Sequence, residues 1–171
     1  MRVTLRLLIY GGLIIFASVL FVAVILPWIT ISERPSAIFR ARTAFEDKGR
    51  SLYIANGCTY CHTQFIRNID WDIGAERVAR SGDYIAEQPH LLGSERTGPD
   101  LSQEGGEHPD DWHLAHYVNP RLVRPESIMP AFEYLGRENI LALVAYKQAL
   151  GFSAAHQPIP FTAWPIGDVH A

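Results

Sequence analysis

Gly57-Cys58-Thr59-Tyr60-Cys61-His62 is the stretch on which the fold of this 171-residue chain turns. Two thiols separated by two residues, with a histidine directly after the second, match the spacing at which one haem is held by two thioether bonds and an axial imidazole. Cys58 and Cys61 are the only cysteines, so a disulfide-rich scaffold and a four-thiolate zinc or iron–sulfur site are both excluded. Other uses of the pair fit less well. A thioredoxin-like redox pair wants a βαβ setting that the flanking pattern lacks. A structural zinc needs two further ligands, and His90, His113 and His116 stand at no spacing that recommends them. A disulfide across two residues is strained and leaves His62 without a role. The expected cofactor is one covalently attached haem c, with Cys58 and Cys61 as its thioethers and His62 as an iron ligand.

Met129 is the only methionine besides Met1, and it precedes proline in Glu126-Ser127-Ile128-Met129-Pro130. An extended Met-Pro segment can present a fixed thioether, which makes Met129 the expected sixth ligand; its bland role is to fill core space. His113 and His116 are the rival ligands. They lie three apart on an expected helix from Asp110 to Asn119, whose Trp112 can pack on the macrocycle.

The chain is 48% hydrophobic and only 19% charged, and the deficit of charge is local: Arg2 and Arg6 are the only charged residues before Glu33. Leu7 to Leu26 alone, at about 1.5 Å per residue, spans a hydrocarbon core about 30 Å thick. Residues 1–32 therefore read as a membrane anchor, with Pro27-Trp28 closing the helix at the headgroup layer. A cleaved signal is the competing reading, but the apolar run exceeds a signal's usual core and no Ala-x-Ala site follows it. Arg2 and Arg6 favour a cytoplasmic N-terminus, and haem c is attached on the outer face of an energy-coupling membrane. The expectation is a single-pass protein of a bacterial-type cytoplasmic membrane with its haem domain in the periplasm. Net charge −3 and the lack of any Lys/Arg run argue against nucleic acid as a partner.

Beyond a linker at 33–42, apolar spacing predicts a helix from Thr43 to Asn56 and another from Arg137 to Leu150, stopped at Gly151. Together with the haem motif and Met129 they resemble the small helical cytochrome c fold, here residues 43–151. The fold class is thus mainly α, a single transmembrane helix plus a cytochrome c domain. The resemblance implies that the first and last helices cross with Gly49 and Tyr53 against Leu143 and Tyr146. It also implies that the Pro99 carbonyl in Gly98-Pro99-Asp100-Leu101 accepts the ring N–H of His62, fixing its tautomer. Residues 63–97 form a long loop insertion, and 152–171 form a tail rich in proline and aromatic residues.

More specifically, Gln64-Phe65-Ile66-Arg67, then Gly93-Ser94-Glu95-Arg96-Thr97-Gly98-Pro99-Asp100-Leu101, then Asp111-Trp112-His113 through to Met129-Pro130-Ala131, resembles the monohaem subunit II of cbb3-type haem–copper oxidases. That resemblance implies a non-catalytic electron relay. Electrons would arrive from another cytochrome c subunit or a soluble cytochrome c and pass to a polytopic haem–copper catalytic subunit. Two alternatives stand beside it: a freestanding membrane-anchored carrier, and the cytochrome c subunit of a related complex such as nitric oxide reductase. Arg67 and Arg96 are candidate partners for the haem propionates. Glu104, Glu107, Asp110 and Asp111 read as a solvated loop with helix-start carboxylates, or as a surface attractive to a basic donor.

Overall fold

The computed structural model describes residues 4–31, 34–73, 77–93 and 95–151, with side chains 71–73 left aside. The 152–171 tail lies outside the described residues. The chain falls into two units, one ending at Arg34 and the other beginning at Pro35. Among the described residues there are helices and turns and no strands, as expected of a mainly α chain.

The first unit is a helix, α1 (Leu5–Thr30), capped by the Thr4 hydroxyl, which accepts from the Leu7 N–H. No residue of it is buried in protein, and an apolar helix exposed on every side is matched to hydrocarbon surroundings. Its hydroxyls donate to carbonyls within the helix, Ser18 to Ile14 at 2.8 Å and Thr30 to Leu26 at 2.7 Å, as a segment in lipid requires. Pro27 does not end the helix, contrary to the sequence expectation. The turn Phe21–Ile25 is π-helical, with Leu26 N–H donating to the Phe21 carbonyl, and this wider turn accommodates a proline that brings no N–H to the ladder.

In the second unit three helices surround a cleft: α2 (Ala44–Ala55), α3 (Asp110–Val118) and α4 (Arg137–Gln148). Thr43 opens α2 with a capping box. Its hydroxyl accepts from Glu46 N–H, while the Glu46 carboxylate accepts from Thr43 N–H at 2.7 Å. Glu46 is itself buried and held by Arg40 at 2.5 Å.

Helices α2 and α4 touch backbone to backbone. A Cβ on Gly49 would stand 1.9 Å from the Ala142 carbonyl oxygen and 2.8 Å from Tyr146 Cβ, so only glycine permits this approach. One turn on, Tyr53 meets Tyr146 edge to face at 5.5 Å. The crossing expected from the sequence is present, with Ala142 rather than Leu143 against the glycine. Leu143 points into the core with Leu101, Leu114, Tyr117, Phe132 and Ile140.

The insertion is folded onto α2. Arg50, buried on that helix, donates to Glu87 at 2.7 Å and to the carbonyls of Gln88 and Pro89. Leu91 then enters the core, and Gln64 N–H donates to the Leu92 carbonyl, tying the two ends of the segment together.

Candidate haem site

The Cys-x-x-Cys-His stretch follows α2 directly. Gly57 turns the chain with φ 70°, and Cys58–Tyr60 forms one 3₁₀ turn. Both cysteines and His62 line a cavity of about 540 Å³. The lining also includes Met129, Trp112, His113 and His116, with Gly98 and Pro99 beside His62.

The His62 ring is fixed from two directions. Its Nδ1 lies 2.9 Å from the Pro99 carbonyl oxygen, to which the ring N–H donates, leaving Nε2 with its lone pair. Gly98 packs flat on the ring: a Cβ there would sit 2.3 Å from Cε1. Burial lowers the pKa of His62, so the ring is neutral and able to ligate metal.

Cys58 and Cys61 form no disulfide with each other, and burial pushes the Cys58 thiol up to about 11. A protonated, desolvated thiol is the opposite of what a thioredoxin-like nucleophile needs. Among the described residues no three His, Cys, Asp or Glu side chains are grouped to hold a lone metal ion.

Met129 is held at each end of its own backbone and at its sulfur. Its N–H donates to Ser127 Oγ at 3.2 Å, its carbonyl accepts from Arg121 at 3.5 Å, and Sδ stands 3.1 Å from His116 Nε2. Trp112 stacks on imidazoles, His108 at 3.8 Å between centroids and His116 at 4.8 Å with planes 9° apart. His116 is pushed down to about 4, first by burial and then by His62 and Lys147 nearby.

Arg67 and Arg96 do not reach the cavity. Both are drawn to the buried Asp70 carboxylate at 2.9 Å, and Arg96 also donates to Thr63 Oγ1 and the Phe65 carbonyl, so they brace the insertion. The cations on the cavity wall are instead Arg124 and Lys147, which the sequence reading did not single out. Lys147 is buried, its Nζ has no hydrogen-bond partner, and burial lowers it to about 7. Of the acidic stretch, Asp110 turns inward to Gln148 and Glu104 turns to His108 at 3.2 Å, leaving Glu107 and Asp111 exposed.

The family described as the mono-haem FixO subunit of cytochrome c oxidase matches residues 2–149. The chain belongs to that family. No curated protein sequence matches it. Membership makes this chain a one-haem, membrane-associated subunit of an oxidase complex and implies a catalytic oxidase subunit as partner. The cavity fits such a cofactor. Two thiols, a neutral imidazole with a free Nε2 and a thioether line a mostly apolar space within the usual range of small-molecule sites.

Proposed function

We propose that the chain is the non-catalytic electron-transfer subunit of a haem–copper oxidase, passing electrons from a cytochrome c donor to the polytopic catalytic subunit. The observation that carries this reading is the convergence of Cys58, Cys61, His62 and Met129 on the lining of one cavity. When bound, the haem supplies one-electron exchange between ferric and ferrous iron. The chain's own residues do the rest. Cys58 and Cys61 would hold the cofactor covalently and His62 would ligate its iron through Nε2, while the Pro99 carbonyl keeps the ring in that tautomer. Met129 would supply the second iron ligand, a thioether that would leave no site for oxygen and favour the ferrous state. The α1 helix anchors the subunit in the cytoplasmic membrane, with Arg2 and Arg6 inside and the haem domain in the periplasm.

Denaturing electrophoresis of the full chain with haem-peroxidase staining should give a stained band at its own mass, lost in Cys58→Ala and Cys61→Ala. Extraction in mild detergent should bring a multi-helix haem–copper subunit with it. An unstained band would overturn the covalent assignment, and a lone stained monomer would make the chain a carrier.

A further inference from the structure

The contact at the methionine sulfur has a donor of unusual fixity. His116 Nε2 stands 3.1 Å from Met129 Sδ, well within the reach of an N–H···S hydrogen bond. The other ring nitrogen, Nδ1, is buried and has no hydrogen-bond partner. A neutral imidazole carries one N–H, and the atom with an acceptor is Nε2, so the proton sits facing the sulfur. The ring cannot easily turn away. It lies almost parallel to Trp112, 9° between planes at 4.8 Å, and Tyr117 meets it edge-on at 6.2 Å. On the other side of the contact, Ser127 and Arg121 fix the backbone of Met129. The histidine that competes with Met129 as a ligand in the sequence is thus, in space, its neighbour.

We propose that His116 is the positioning residue of the Met129 thioether, donating Nε2–H to Sδ and thereby fixing both where the sulfur points and how much electron density it offers. This inference rests on Met129 being the sixth ligand. A donated hydrogen bond withdraws density from the thioether, leaving ferric iron less stabilised and the reduction potential higher. It also resists displacement of the sulfur by outside ligands.

The test uses the haem-loaded full chain and three variants. His116→Phe keeps an aromatic ring against Trp112 but removes the donor, His116→Gln restores an N–H donor without a ring nitrogen lone pair, and Met129→Leu removes the sulfur. The readouts are the red-edge absorption band of the iron–thioether bond, the midpoint potential, and the affinity for added imidazole. His116→Phe should lower the potential and bind imidazole about tenfold more tightly, and His116→Gln should return both toward the parent. Met129→Leu should abolish the band. If Met129→Leu loses the band but His116→Phe matches the parent in potential and imidazole affinity, the positioning role is overturned and the ligand assignment stands. If the band survives in Met129→Leu, or six-coordination is lost only in His116→Phe, the ligand assignment itself falls and this inference with it.

Discussion

Gly98 lies against the His62 imidazole so closely that a Cβ would stand 2.3 Å from Cε1 and 2.8 Å from Nδ1. The same loop supplies the Pro99 carbonyl that receives the ring N–H at 2.9 Å, so one short segment sets both the plane and the tautomer of the proposed iron ligand. Gly98→Ala should push the ring off this carbonyl. Overpacking of this kind costs about 1–3 kcal/mol. Urea unfolding of the haem-loaded variant should register that loss, together with a weakened low-spin spectrum. Unchanged stability and spectrum would mean that the loop gives way without moving His62.

The insertion is held by a buried ion pair. Arg50 and Glu87 are 2.7 Å apart, and both side chains are nearly excluded from solvent. Glu87 also pairs with Arg42, so removing Arg50 leaves the carboxylate one cationic partner but frees the carbonyls of Gln88 and Pro89, at a cost of about 1–3 kcal/mol. Arg50→Met is therefore expected to destabilise and to open residues 85–92 to proteolysis. Arg50→Lys should recover little, because one ammonium cannot reach Glu87 and the carbonyls of Gln88 and Pro89 together. Limited proteolysis checks both.

Arg96 and Arg67 both donate to the Asp70 carboxylate. Their hydrogen bonds, Arg96 first, hold the Asp70 carboxyl far below the usual carboxylate range. A carboxyl with a lowered folded pKa contributes stability that is present above the unfolded value near 3.8 and is lost as pH falls below it. Asp70→Asn should lower Tm at neutral pH by several degrees and flatten the acid limb of the stability profile. Arg96→Met should lower Tm similarly with the haem potential unchanged; a large change in potential would return Arg96 to the propionates.

The three soluble helices were readable because each carries apolar residues at three- and four-residue spacing, and Gly49 with Tyr53 marks the crossing in α2 as clearly as Tyr146 does in α4. Which residue of α4 faces the glycine was not readable to one position, since Ala142 and Leu143 are both apolar and only the crossing angle separates them. The continuation of α1 beyond Pro27 depends on a π turn, which leaves no mark in composition. At the site, the haem motif and Met129 were legible from spacing and scarcity. The partners of Arg50, Arg67 and Arg96 were not, because pairings such as Arg50 with Glu87 span a loop whose path has no periodicity. His116 looked like a competitor of Met129 because sequence shows ligand types and not which nitrogen faces which sulfur. Lys147 was invisible for a different reason: a lysine in the last turn of a helix is ordinarily a solvated charge complementing the helix dipole.

Lys147 supplies the last prediction. Its ammonium is buried on the cavity wall without a hydrogen-bond partner, and burial lowers its pKa from 10.5 to about 7, against the opposing pull of Glu104 and Asp100. The positive charge of a haem iron would push it in the same downward direction. Between about pH 7 and 10.5 the unfolded chain therefore binds a proton at this side chain that the folded chain lacks, and stability should rise with pH across that window. Below about 7 the folded chain takes the proton as well and bears the full cost of a buried, poorly compensated charge. Lys147→Met keeps the length of the side chain and removes the charge. The variant should be more stable than the parent at pH 7, by on the order of 1–3 kcal/mol, with the difference closing as the pH approaches 10.5. Urea unfolding of the haem-loaded full chain at pH 7, 9 and 10.5 measures both slopes. Parallel profiles for parent and variant would show that Lys147 keeps its charge through a partner supplied by the bound state.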